Sequence, residues 1–154
     1  MVVSERVYYF AFGSNMSSER LSVRIPILED LGAGRLDGWR FVCNKRGVDG
    51  TAKANIVSAD GSLVWGVVYA LYRSSLPELD VFEGGYERAQ LMVRLESTGA
   101  QIECEGYLSD RTSSTSAPAN WYKRHMVDGA RDHGLPDDYV TMLEGLPLTT
   151  PWRA

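Results

Sequence analysis

Two short segments carry the residue types best suited to chemistry. Tyr9-Phe10-Ala11-Phe12-Gly13-Ser14-Asn15-Met16 reads as a strand that runs into a small polar turn. Leu79-Asp80-Val81-Phe82-Glu83-Gly84-Gly85-Tyr86-Glu87-Arg88 sets a carboxylate directly before two glycines. In the first segment Gly13 permits a tight turn and Asn15 tolerates a left-handed backbone. Successive N–H groups at such a turn, feeding a helix N-terminus, form a cradle for negative charge. An ordinary strand-to-helix turn accounts for the same residues equally well. In the second segment Leu76, Leu79 and Glu83 fall at i, i+3 and i+7, on one stripe of a helix from Ser75 to Glu83. Leucines on a stripe face a core, so Glu83 either reaches solvent at the helix end or is held in a cavity. Pattern alone favours solvent, because Glu is rarely buried. A polar cradle beside an inward carboxylate would suit acid–base chemistry on a small, polar acyl substrate.

Other nucleophiles are poorly supported. The turn is not the G-x-S-x-G elbow that presents a serine, and activating Ser14 needs a neighbouring base. The two histidines, His125 and His133, lie on a late helix and read as surface or helix-end residues. Tyr9, Tyr86, Tyr107 and Tyr122 cluster near the two segments. Each is either a core or sheet residue, or a phenol that donates a hydrogen bond at a cavity wall. Arg88 reads as one half of a strand-edge salt bridge, with a substrate carboxylate as the alternative partner.

The elements that must position these groups are mostly strands. Val7–Phe12, Trp39–Asn44, Ala54–Val57, Leu63–Tyr72, Gln90–Glu96 and Gln101–Leu108 are rich in Val, Tyr, Trp and Ile. Asp49-Gly50, Asp60-Gly61 and Thr98-Gly99 separate them as turns. The last two runs read as a hairpin, and Leu63–Tyr72 as a central strand. Helices are expected at Ser17–Val23, capped by Asn15 or Ser17, and at Ser75–Glu83, opened by a Ser75-x-x-Glu78 capping box. Two more follow at Tyr122–His133, stopped by Gly134, and at Asp137–Glu144. Neighbouring strands without long helical crossovers predict an α+β fold: a small mixed, largely antiparallel β-barrel flanked by a few helices.

Composition narrows the class. A chain of 154 residues is expected to form a single domain spanning 1–154. A net charge of -4 with no basic patch argues against nucleic acid. No apolar run reaches the roughly 18–20 residues that span a bilayer, and Met1 to Arg6 lacks the features of a signal peptide. Cys43 and Cys104 form no CxxC pair and have no nearby His, so they read as buried, inert thiols in a reducing, cytoplasmic setting rather than as metal ligands. Asp110 to Asn120 reads as a surface loop. Monomer and homodimer are both open; an exposed strand edge or the aromatic end near Trp152 would serve a dimer.

The two segments resemble the gamma-glutamylcyclotransferase-like family, in which a tyrosine-rich strand leads into a Gly-Ser-Asn turn and a Glu-Gly pair follows a Leu-Asp. Asp49-Gly50-Thr51-Ala52-Lys53-Ala54-Asn55-Ile56, Val64-Trp65-Gly66-Val67-Val68-Tyr69, Trp121-Tyr122-Lys123 and His133-Gly134-Leu135-Pro136 are similar to the family and stand in its order. The resemblance implies that Glu83 is the catalytic acid–base. It implies that Gly13, Ser14, Asn15 and Met16, flanked by Phe12, bind the substrate, and that Tyr86, Tyr107 and Tyr122 line its pocket. Phe12 stands where many relatives carry Tyr. The implied reaction cleaves a gamma-glutamyl amide without water, metal or organic cofactor: the substrate's alpha-amine attacks its own gamma-carbonyl and releases 5-oxoproline and an amine. The partner is then a small gamma-glutamyl compound, a dipeptide or glutathione. Alternatives on the same fold are a gamma-glutamylamine or a gamma-glutamyl natural product, and, of another class, a non-catalytic binding module.

Overall fold

The computed structural model describes residues 5–113, 115 and 117–150. Trp152 and the first four residues lie outside them, as do Ser114 and Ser116 of the 110–120 loop. Five strands close into a barrel: β1 (Arg6–Ala11), β2 (Glu29–Arg46), β3 (Ala52–Tyr72), β4 (Glu87–Leu95) and β5 (Gln101–Leu108), in the spatial order β1-β3-β2-β4-β5. Closure comes from a parallel contact between β1 and β5, where Tyr9 pairs with Glu105; the other pairings are antiparallel. Four helices flank the barrel: α1 (Ser18–Arg24), α2 (Leu76–Phe82), α3 (Asn120–Asp132) and α4 (Asp137–Glu144). The predicted mixed, largely antiparallel barrel with a few helices is the architecture observed.

β3 is the central strand expected from its apolar run. It pairs with β1 on one side and β2 on the other, and Val64 and Val67 to Leu71 are all buried. Phe10, Tyr69 and Leu71 are fully buried, and each such side chain contributes roughly 1.5–3 kcal/mol relative to exposure. The β4–β5 hairpin forms as predicted, with Gly99 at φ +75 in its turn.

Three local expectations are corrected. The strand predicted at Trp39–Asn44 extends back to Glu29, through Gly32, Gly34 and Gly38. Asp60-Gly61 does not end a strand: β3 runs through it, but Asp37 pairs with Leu63 while Trp39 pairs with Ser58. Ala59 to Ser62 thus stand opposite Gly38 alone, and the turn signal marks a bulge. Ser75 is no capping box, because its backbone is helical and its side chain makes no cap bond; a 3-10 turn over Arg73–Ser75 leads directly into α2. Ser17, by contrast, caps α1 by accepting from the Arg20 N–H.

After β1 the chain leaves the barrel rim in a 3-10 turn at Ser14–Met16, and α3 crosses against that turn. A Cβ on Gly129 would stand 2.3 Å from the Met16 carbonyl carbon, so only glycine lets helix and turn approach this closely.

Candidate functional site

A cavity of about 390 Å³ opens at the end of the barrel where β1, β2 and β5 finish and β3 begins. Glu83 lies in its wall. The residue caps α2: its N–H donates to the Leu79 carbonyl at 3.0 Å, and its own carbonyl accepts from the Tyr86 N–H at 3.1 Å. Gly85 closes this turn at φ +86, a conformation that favours glycine. Leu76 and Leu79 are buried on the inner stripe, and Glu83 follows them inward with a side chain only 14% exposed. The solvated helix-end reading is therefore not the geometry adopted.

Asn15 meets Glu83 from the other side. Its amide nitrogen donates to Glu83 Oε1 at 2.8 Å and to the Tyr9 hydroxyl at 3.0 Å. Both amide hydrogens are thereby used, while Asn15 Oδ1 is buried with no partner. Turning the amide over would aim that oxygen at the carboxylate, so the Glu83 contact sets the orientation. The Tyr69 hydroxyl fixes the backbone beneath by donating to the carbonyls of Asn15 and Met16.

Cations approach Glu83 without engaging it closely. Arg24 Nη1 is 3.7 Å from Oε1 and rests over the Phe82 ring. Lys45 is buried; its ammonium donates to the Gly84 carbonyl at 2.8 Å and sits over the Tyr86 ring. Burial raises the Glu83 carboxyl above its usual range and outweighs the opposing pull of Arg24, Arg20, Lys45 and the Asn15 bond. Burial likewise lowers the Lys45 ammonium, against the attraction of Glu83.

Phe12, Gly13, Ser14, Asn15, Glu83, Tyr86, Tyr107 and Tyr122 all line this one cavity. Met16 does not; it is fully buried beneath the turn, and its N–H is consumed by the Gly13 carbonyl at 3.1 Å. The N–H groups of Ser14 and Asn15 precede the first internal bond of the 3-10 turn, as helix-initial donors do. Gly13 has no room for a side chain, since a Cβ would lie 2.9 Å from both Ala54 Cβ and the Tyr122 hydroxyl. Ser14 Oγ accepts from Arg20 Nε at 3.0 Å and has no histidine beside it. The tyrosine hydroxyls serve structure as well. Tyr86 donates to the Ala54 carbonyl at 2.6 Å, Tyr122 accepts from the Ala54 N–H at 2.9 Å, and Tyr107 donates to Asp80 at 2.7 Å. Arg88 pairs with Asp80 at 2.9 Å. His133 ends α3 and faces Asp30, away from the cavity.

Several wall residues escaped sequence reasoning, among them the cations Arg20, Arg24, Lys45 and Lys53 and the aromatics Phe82 and Trp121. Arg20 and Arg24 carried a signal, being one turn apart on the helix that the cradle opens. Lys45 and Lys53 carried none, because only the Lys45–Lys53 pairing of β2 with β3 turns them to the same end. Cys43 and Cys104 are buried free thiols, each pushed by burial up to about 12. No helix among the described residues is long and apolar enough to cross a membrane.

The closed five-stranded barrel, its strand order and the helices that flank it match the gamma-glutamylcyclotransferase fold. A solved gamma-glutamyl cyclotransferase superposes with a TM-score of 0.85 over 94% of this chain and 90% of its own, at 28% identity. The human gamma-glutamylcyclotransferase is 30% identical over 150 residues, covering 92% of this chain and 79% of that relative. The Bos taurus protein of the same name is 31% identical over 152 residues, with the same coverage. A yeast cyclotransferase specific to glutathione shares the fold alone, at 12% identity and a TM-score of 0.65. The model of the AIG2-like family matches residues 63–143. This chain belongs to the AIG2-like, gamma-glutamylcyclotransferase family.

Proposed function

We propose that the protein is a gamma-glutamylcyclotransferase that releases 5-oxoproline from a small gamma-glutamyl compound, with Glu83 as its acid–base group. The observation that carries this reading is the Glu83 carboxyl: buried, raised above its usual range, and held by the Asn15 amide in a cavity beside the Gly13–Asn15 turn.

The chemistry follows from that environment. At neutral pH the substrate's alpha-amine is an ammonium and has no lone pair to attack with. Glu83 takes its proton. The freed nitrogen bonds to the gamma-carbonyl carbon and closes a five-membered ring, and the carbonyl electrons move onto oxygen. The tetrahedral intermediate collapses as Glu83 returns that proton to the departing nitrogen and the original amide bond breaks; Glu83 then takes the second proton from the ring nitrogen, leaving the lactam N–H, and passes it to the released amine. Because nucleophile and electrophile belong to one molecule, holding a bent conformer can lower the barrier by up to about 7–11 kcal/mol. A carboxyl whose pKa lies nearer neutrality shuttles protons better than an ordinary one. The Ser14 and Asn15 N–H groups would hold the developing oxyanion or the alpha-carboxylate. The cavity's cations favour an anionic ligand. Nothing in this sequence of steps requires a metal or organic cofactor.

The direct test is 5-oxoproline release, by mass spectrometry, from gamma-glutamyl dipeptides, glutathione and gamma-glutamylamines, with Glu83→Gln alongside. Release that vanishes in the variant is expected. Glutamate in place of 5-oxoproline would mean that water attacks and would end the cyclisation reading.

A further inference from the structure

Four of the apolar side chains left in water meet at the mouth of the cavity. Val48 is 102% exposed, Val81 79%, Phe82 51% and Trp121 43%, and all four line it. Their positions are separate in sequence: Val48 lies in the β2–β3 turn, Val81 and Phe82 on α2, and Trp121 on α3. An exposed apolar cluster rimmed by charge marks a surface that is covered in use.

Cations hold the aromatic part of this rim. The Arg20 guanidinium is 5.1 Å from the centre of the Trp121 ring, and Lys53 Nζ is 4.7 Å from it. Arg20 is also tied to Ser14 Oγ, and Lys53 to Asp49 and Thr51, so the rim is anchored before any ligand arrives. The charged lining as a whole comprises Arg20, Arg24, Lys45 and Lys53 against Asp49 and Glu83. This positive excess stands in a chain of net charge -4. A gamma-glutamyl head group carries one carboxylate and one ammonium and balances itself, so the excess calls for a further anionic group on the departing side. Lys45 is committed to Gly84, and Arg24 lies nearest Glu83. Arg20 and Lys53 flank Trp121 beside the apolar rim, and Asp49 offsets Lys53 in part.

We propose that Val48, Val81, Phe82 and Trp121, with Arg20 and Lys53, form a subsite for the departing amine, and that this amine is an amino acid with a free carboxylate and a bulky apolar side chain. The inference rests on the cyclotransferase reading and goes beyond it by naming the leaving group. The carboxylate lies toward Arg20 and Lys53, and the side chain covers the exposed apolar rim. Small or polar leaving groups leave that rim in water. Amines without a carboxylate leave the cations unmatched, and cationic amines are repelled.

The experiment compares kcat/KM for gamma-glutamylphenylalanine, gamma-glutamylalanine, glutathione and gamma-glutamylphenethylamine, which lacks only the carboxylate of the first. The phenylalanine dipeptide should exceed the alanine dipeptide and glutathione by about tenfold or more. It should exceed the phenethylamine compound by about 10–100-fold, the scale of a lost charged hydrogen bond. Trp121→Ala should erase most of the phenylalanine advantage over alanine. Lys53→Met should lower turnover of the dipeptides and spare the phenethylamine compound. Binding to Glu83→Gln by calorimetry reads the same preferences without chemistry. Equal kcat/KM for the phenylalanine and alanine dipeptides, or a preference for glutathione, overturns the subsite while leaving the cyclotransferase reading intact. No 5-oxoproline from any compound, with selective binding of the phenylalanine dipeptide to Glu83→Gln, overturns the reaction and not the subsite. No release and no selective binding overturns both.

Discussion

Asp80 and Glu83 stand one turn apart at the end of α2, and their surroundings differ. Asp80 is 39% exposed; its Oδ1 accepts from the Tyr107 hydroxyl at 2.7 Å and lies 2.9 Å from Arg88 Nε. Glu83 is 14% exposed, its close donor is the neutral Asn15 amide, and its nearest cation is 3.7 Å away. Asp80 meets a cation in direct contact, which makes it half of an ion pair. Glu83 meets a neutral donor in a drier place, so desolvation prevails and the carboxyl is raised. Residue type and helix position are nearly the same for the two. The nature of the closest partner separates a structural carboxylate from one fit to carry a proton.

The widest expected gap between them is in turnover. Glu83→Gln should lower kcat by about 10²–10⁴-fold, the usual contribution of acid–base catalysis. Asp80→Asn should stay within a few-fold of wild type. Equal losses in steady-state assays would dissolve the distinction.

Lys45→Met sharpens it from the side of the turn. The ammonium ties the Gly84 carbonyl directly after Glu83 and draws the carboxyl downward. Its loss should reduce kcat about tenfold, the effect of one displaced charge-assisted bond. It should also move the acid limb of the kcat–pH profile to higher pH, because a cation that favoured the carboxylate is gone. Lys45→Arg should recover much of both. An unmoved acid limb would show that Lys45 serves packing alone.

A third consequence concerns pH and stability together. The folded Glu83 carboxyl titrates above its unfolded value. Its contribution is therefore favourable at low pH and is lost as pH rises through the folded value. Glu83→Gln removes that loss and keeps an oxygen for the Asn15 donor. Its Tm should exceed wild type by on the order of a few degrees at neutral pH and converge with it in acid. In wild type the acid limb of kcat should lie above the ordinary carboxylate range. A variant that is less stable at neutral pH, by calorimetry, would contradict the raised carboxyl.

The smallest effect belongs to the Asp80 side. Tyr107→Phe removes one hydrogen bond and leaves Arg88 in place, so it should cost about 1 kcal/mol in urea denaturation. The kcat should change little. A large fall in kcat instead would give the Tyr107 hydroxyl a part in the chemistry.

How much of this was legible beforehand varied with the range of the forces involved. The β4–β5 hairpin and a polar cap at Asn15 or Ser17, which proves to be Ser17, were readable because each depends on a few neighbouring residues. The first half of β2 was not. Glycines and acidic residues are poor strand formers, yet Gly34 is placed where a Cβ would lie 2.7 Å from Val93 and 2.8 Å from Val68. A strand elsewhere in the sequence, close across the barrel, explains that glycine. The Ser75 signal failed for a related reason: the chain enters α2 already helical from a 3-10 turn, leaving the side chain nothing to cap.

The site divides along the same line. The sequence by itself determined the order of the strands along the chain, the Gly13–Asn15 turn, and Glu83 on the stripe of Leu76 and Leu79, because period and turn chemistry are local. Only the tertiary structure decided that Glu83 is sheltered while Asp80 is ion-paired, that Asn15 is its donor, and that Lys45 and Lys53 join Arg20 and Arg24 around one cavity. Those outcomes depend on barrel closure and strand register, which bring together residues far apart in the chain, 68 positions in the case of Asn15 and Glu83. Burial and the choice of partner are properties of that assembly, and they set the charge on a carboxyl.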